Sequence, residues 1–307
     1  MSIQPPDSFH ILGELDRAEF YIAFSALHVP TSTEVRLTRL TAEISNSPRF
    51  RAAFRKDEAS LQALHHTNVS PLLFWGEDGG VLFYATERPD GESLNQRLGK
   101  GLRFQWDEFT DIGWQIASAL QHAHNRGMTH GRLTLDSVIV SKELLAIVVG
   151  FGLYHWIAAA TTELRTPATF RQLVKQDLID FGNLLTTMLD AVDLKSEPPT
   201  HVNQLAEVQS LLTRLKEPPE DFTARDVQGR LGDMLLKAAG DSIEMIDDRE
   251  GLGLSRRSII DELFDDVAKP ADVTLPASIP SKPSIRFWLT TVLVIILALM
   301  FAMFSPA

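Results

Sequence analysis

Near the start of the chain, segments 9–12, 20–26 and 35–40 cluster or alternate apolar residues as short strands do. Segment 47–64 changes period: Phe50, Phe54, Leu61 and Leu64 recur at helical spacing. Two further strands are predicted at 71–75 and 81–86, joined through the turn-forming run Glu77-Asp78-Gly79-Gly80. Segment 107–126 reads as an amphipathic helix with Ile112, Ile116, Ala119, Leu120 and Ala123 on one face, stopped by Gly127. The apolar run 145–149 suits another strand, and 205–215 and 223–236 read as helices. From 241 to 285 the pattern lapses into a linker, acidic at first and rich in proline and serine after Lys269. Within it one short helix is predicted at 258–268, with Ser258 as cap, Asp261 at the third position, and an apolar stripe of Ile259, Ile260, Leu263, Phe264 and Val267. The stretch 287–304 is uncharged and apolar for about 18 residues, near the shortest length that spans a bilayer.

Charge and composition narrow the function. The net charge of −11 argues against a nucleic-acid partner, because phosphate contacts need a basic face. There is no cysteine, so disulfides, thiolate metal sites and cysteine nucleophiles are excluded. No metal-ligand cluster stands out. His122 and His124 are two apart on a helix and face different ways, and His65-His66 reads as a helix end. The first residues lack the basic, apolar pattern of a signal peptide. Lys282 and Arg286 precede the apolar run and Trp288 suits a membrane interface. These flanks predict a transmembrane helix at 286–304 with a three-residue tail, the large domain on the cytoplasmic side, and late or post-translational insertion as a tail anchor.

Four stretches carry the candidate chemistry. They are Gly127-Met128-Thr129-His130-Gly131-Arg132-Leu133-Thr134-Leu135-Asp136-Ser137-Val138-Ile139-Val140, Gly150-Phe151-Gly152-Leu153, Gln176-Asp177-Leu178-Ile179-Asp180-Phe181-Gly182, and Asp221-Phe222-Thr223-Ala224-Arg225-Asp226-Val227. In this order they resemble the eukaryotic-type (Hanks-type) serine/threonine protein kinase superfamily. The resemblance covers about 9–240, and His66-Thr67-Asn68 and Gly91-Glu92-Ser93-Leu94 add to it. It implies an α+β, two-lobed protein-kinase-like fold. A small β-rich lobe at about 9–87 follows an eight-residue tail, and a helical lobe occupies about 88–240.

The same resemblance implies that the reactive groups are missing. The family's catalytic loop reads Gly-Ile-x-His-Arg-Asp-Leu-Lys-Pro-x-Asn. Here Arg132 stands for the catalytic Asp, Thr134 for the loop Lys, and Ser137 for the metal-binding Asn. Gly150 stands for the metal-binding Asp of Asp-Phe-Gly. Thr38, in Val35-Arg36-Leu37-Thr38, replaces the phosphate-binding Lys, and Arg36 would project into the adenine space. The alternation of Val35 and Leu37 turns Arg36 and Thr38 toward the cleft. Of the three phosphate-loop glycines only Gly13 remains, with Leu15 and Ala18 at the other two, and an ordinary hairpin is expected there. Thr86 stands at the gatekeeper position. The helix carboxylate of the family's ion pair falls on Asp57, beside Glu58. Retained are positions of structural kind: Leu61, Leu72, His130 and Phe151 of the stack joining the lobes, above Asp177, which is expected to hold buried amides of the loop. The segment after Leu153, with Thr161, Thr162, Thr166 and Thr169, reads as a loop.

These losses imply a pseudokinase: a membrane-tethered signalling scaffold or allosteric partner of other proteins, with no cofactor, no metal and no ATP binding expected. Two alternatives stay open. One is an atypical active kinase or other nucleotide-using enzyme that reuses the cleft through Arg36, Arg132, Asp136 or Glu58. The other is a tail-anchored adaptor that binds partners through the linker helix.

Overall fold

The computed structural model describes residues 8–161, 167–194 and 199–247. The expected linker helix and membrane segment lie outside the described residues, and among the described residues no helix is long and apolar enough to cross a membrane.

The small lobe is a five-stranded antiparallel sheet. Its strands are β1 (Phe9–Ala18), β2 (Tyr21–His28), β3 (Thr33–Leu40), β4 (Leu72–Asp78) and β5 (Val81–Glu87), in spatial order β1-β2-β3-β5-β4. Alternation divides the sheet between two cores. Phe9, Ala26, Val35, Leu37, Phe83 and Ala85 close on one another on one face. Tyr21, Ala23, Leu40, Leu82 and Tyr84 point from the other face into the main core. The edge strands approach each other through Phe9 and Phe74, whose ring centroids are 6.0 Å apart, so the sheet is strongly curled. A short helix α1 (Ala42–Ser45) leads into α2 (Pro48–Gln62), which buries Phe50, Phe54 and Leu61 against the second face. The Ser47 hydroxyl accepts the Phe50 N–H at 3.3 Å and starts α2.

The larger lobe is helical. A strand β6 (Glu92–Ser93) leads into α3 (Leu94–Gly99), where Ser93 and Gln96 form a reciprocal capping box. Helix α4 (Trp106–His124) runs through the centre, with Ile112, Ile116, Ala119, Leu120 and Ala123 fully buried. Strands β7 (Val138–Val140) and β8 (Ala146–Val148) complete a small sheet with β6. Then come α5 (Leu153–Thr161), α6 (Pro167–Asp190), α7 (Pro199–Lys216) and α8 (Ala224–Asp247). Chain 63–71, between α2 and β4, crosses to the larger lobe. There the Val148 N–H donates to Asn68 O at 2.8 Å and the Ser70 N–H to Val148 O at 3.1 Å.

Three expectations change. The segment after Phe151-Gly152 is helix from Leu153 to Thr161 rather than loop, because Leu153, Trp156 and Ile157 form an apolar stripe that packs on the core. Of its threonines, Thr161 ends α5, Thr169 lies in α6, and Thr162 and Thr166 lie outside the described residues. The last helix runs on past 240 to Asp247, beyond the expected start of the linker. His65 and His66 lie past the end of α2, on the crossing segment.

Candidate functional site

The stretch 127–140 sits between the lobes and is fixed from below. Gly127, at φ +70°, turns the chain out of α4. Asp177, wholly buried in α6, then gathers three donors. Its Oδ2 accepts from the His130 N–H at 2.8 Å and lies 2.9 Å from His124 Nε2; its Oδ1 accepts from the Gly131 N–H at 2.6 Å. Each donor would otherwise be buried without a partner. The His130 ring is neutral because burial holds its pKa down. Nδ1 accepts the Arg132 N–H at 3.4 Å, so Nε2 carries the proton and donates to Val149 O at 3.0 Å. The Phe151 ring meets His130 edge to face at 5.0 Å, and Leu61, Phe151 and the partly buried Leu72 join the same core.

The upper face of the stretch meets a different set of groups. On the small lobe, β1 continues as strand through Gly13, Leu15 and Ala18, with two bulges, so the phosphate-loop positions lie within a closed hairpin on β2. Leu15 is exposed, and Glu14 is taken up by Arg17 at 2.8 Å, which lowers its pKa. Asp16 is the hub. It accepts the Tyr21 hydroxyl at 2.5 Å and pairs with Arg36 at 3.5 Å. Burial first, and Asp16 second, push the Tyr21 phenol far up, so it stays protonated and donates. Thr38 is buried opposite Tyr84, whose phenol burial raises to about 12. Thr86 is buried with its hydroxyl unpartnered. The side chains of Asp57 and Glu58 lie outside the described residues.

Helix α5 joins these two halves. Tyr154 accepts a hydrogen bond from Arg132 Nη1 at 2.5 Å, and its ring meets the edge of Tyr21 at 6.5 Å. Two residues on, the fully buried Trp156 packs between α2 and β5, with ring centroids 4.7 Å from Phe54, 6.2 Å from Phe50 and 5.8 Å from Tyr84. Its indole N–H has no partner, so packing holds it there. Two glycines make the room. A Cβ on Gly131 would lie 2.8 Å from Tyr154 Cβ, and one on Gly152 would lie 2.8 Å from the Trp156 ring; both have positive φ. Sequence reasoning missed Tyr21, Tyr154 and Trp156 altogether, and it missed the packing roles of Gly131 and Gly152 and the pairing of Asp16. The signals present were a glycine where the family has Arg, and the spacing of Leu153, Trp156 and Ile157.

A family model described as "Protein tyrosine and serine/threonine kinase" matches residues 15–172. The chain belongs to this protein kinase family. The chain is 28% identical over 155 residues to serine/threonine-protein kinase PknH of Mycobacterium bovis, covering 50% of this chain and 25% of PknH. It is 30% identical over 129 residues to PknE of the same organism, covering 42% and 22% respectively. This chain thus spans about a quarter of the length of the curated kinases it matches. Among solved structures, the PknI kinase domain of Mycobacterium tuberculosis superposes with a TM-score of 0.57 at 17% identity, covering 76% of this chain and 100% of that domain. That likeness establishes the kinase-like α+β fold, with its sheet lobe and helical lobe.

A family kinase positions Mg²⁺ and ATP with a lysine, an asparagine and an aspartate. At the positions that the sequence resemblance assigns to these, the chain has Thr38, Ser137 and Gly150. Ser137 Oγ is 3.0 Å from the Thr134 hydroxyl in a 3-10 turn, and Gly150 has no side chain. Asp136 is engaged by Ser93 and Asn95, each at 3.2 Å. Among the described residues no three His, Asp or Glu gather to hold a metal. These residues do not fit a Mg²⁺-nucleotide as the family holds it.

Proposed function

We propose that this chain is a pseudokinase, a kinase-fold domain that serves as a signalling scaffold or allosteric partner rather than as a catalyst. The observation carrying this reading is the coincidence of two features at one place. By the sequence resemblance the groups for phosphate, metal and nucleophile are replaced at Thr38, Ser137, Gly150 and Arg132, and α5 reaches two of these positions, with Tyr154 bonded to Arg132 and Trp156 packed on Tyr84, the cross-strand partner of Thr38. Phosphoryl transfer is positioning plus electrostatic stabilisation. One missing group can be supplied by a neighbour; four would need four independent replacements, and Asp136 is already engaged. The test is thermal denaturation of the full chain with Mg-ATP, with ATP and chelator, and without ligand, alongside transfer of labelled phosphate to a general acceptor. No shift and no transfer are expected. A chelator-reversible shift of several degrees would overturn the reading.

The names of the relatives favour a second reading, an atypical active serine/threonine kinase. Phosphate transfer abolished by Arg36→Ala or Arg132→Ala would establish it.

We further propose that the apolar run 287–304 tethers the domain to a membrane with the domain on the cytoplasmic side, as Lys282 and Arg286 favour. Retention of the full chain in the membrane pellet after alkaline carbonate is expected; recovery in the soluble fraction would refute the tether.

A further inference from the structure

The crossing segment 63–71 is the small lobe's hydrogen-bonded attachment to α4 and β8. Asn68 is its anchor. Its side-chain amide donates to Gln115 Oε1 at 2.9 Å and to Ala146 O at 2.8 Å. Its backbone N–H donates to Nδ1 of His66 at 3.1 Å, so His66 holds the turn that presents the anchor. With Nδ1 accepting, the His66 proton lies on Nε2, which faces the Ser118 hydroxyl at 3.2 Å. His122, on the same face of α4 as Ser118, places its ring 4.7 Å from that of His66. Its Nδ1 faces Arg126 Nη1 at 3.3 Å, and a guanidinium only donates. The His122 proton therefore lies on Nε2, which is buried without a partner.

Each ring's one acceptor nitrogen is thus already occupied by a group that cannot accept. A second proton on His66 would point at the Asn68 N–H, and one on His122 at a guanidinium. The charged groups bearing on the pair among the described residues are Arg126, in the turn after α4, and His65 on the crossing segment; neither is anionic.

We propose that His66 and His122 form an acid-sensitive catch on the interlobe hinge, neutral and closed at neutral pH, whose protonation releases the turn at Asn68 and frees the small lobe to move. The catch stands apart from the cleft and does not depend on whether the chain is a catalyst.

The sign follows from linkage. Burial first, then neighbouring cations, hold both rings near pKa 4, against about 6.5 when released. The released state binds more protons between those values, so closure is complete above about pH 6.5 and is lost as the pH falls toward 4. One proton per ring changes the opening equilibrium up to about tenfold per pH unit in that window.

The experiment is amide hydrogen exchange on the full chain in detergent micelles at pH 7.5, 6.5 and 5.5, corrected for intrinsic exchange. Wild type is expected to lose about tenfold or more of its protection in 63–71 between pH 6.5 and 5.5, while peptides from α6 hold theirs. His66→Asn keeps an oxygen able to accept the Asn68 N–H but does not titrate; combined with His122→Asn it should flatten the profile. A flat wild-type profile, an unchanged profile in the double variant, or a loss spread evenly over the chain would overturn the proposal. Should the double variant fail to fold, ring titration by NMR in wild type decides it: pKa values well below 6 for both rings support the catch, and an ordinary value for either refutes it.

Discussion

The two faces of the catalytic-loop stretch are held by different physics. Below, one buried carboxylate, Asp177, takes two backbone N–H groups and the His124 ring. Above, an exposed arginine and aromatic edges meet across the cleft through Tyr154, Tyr21 and Trp156. The lower face cannot lose its acceptor without stranding donors away from water, so its residue types are fixed by folding. The upper face has no such obligation. Its residues are free to depart from the family's chemistry, provided the space is filled.

The largest expected effect tests the lower face. Asp177→Ala leaves three donors unpaired and should destabilise the chain by about 3 kcal/mol or more, at roughly 1–3 kcal/mol for each unsatisfied group. Denaturant unfolding measures it; a loss below about 1 kcal/mol would dissolve the contrast between the faces. Trp156→Ala comes next. It vacates a site between α2 and β5 and should cost about 3–5 kcal/mol, as large-to-small changes in a core do. The loss should fall on the upper face, seen as hydrogen exchange rising in α2 and α5 while α6 keeps its protection. Tyr154→Phe keeps the ring and removes only the bond to Arg132, so about 1 kcal/mol is expected. Arg132→Ala should cost about 1 kcal/mol or less, because an exposed hydrogen-bonded pair is worth little. An Arg132→Ala loss as large as that of Asp177→Ala would mean that the two faces are not held differently.

Much of the frame was legible because it is written in short local patterns. Alternation at Val35 to Thr38 gave the faces of β3, and the helical stripe of Ile112 to Ala123 gave α4. His130 and Asp177 could be placed together because each lies in a stretch whose neighbours resemble the family. The hub at Asp16 and the bridge by α5 were not legible in this way. Tyr21, Asp16 and Arg36 lie on three different strands, and only the register of β1 on β2 and β2 on β3 brings them together. For α5 the family pattern suggested a loop, while the side chains themselves carried a helical stripe; packing of Trp156 against Phe54 settles the competition. The crossing histidines were read as a helix end because His66 and His122 meet only after the chain folds back on α4.

Gly131 bears on how such a chain can change over generations. Its hydrogen is the largest substituent tolerated while Tyr154 keeps its seat, since even a methyl carbon would sit 2.8 Å from Tyr154 Cβ. An arginine arising at 131 meets a collision before it meets a use. A tyrosine lost from 154 leaves Arg132 without its partner before any replacement side chain has arrived. A change at either position alone is therefore disadvantageous. A single packed glycine thus ties the residue type at 131 to the one at 154.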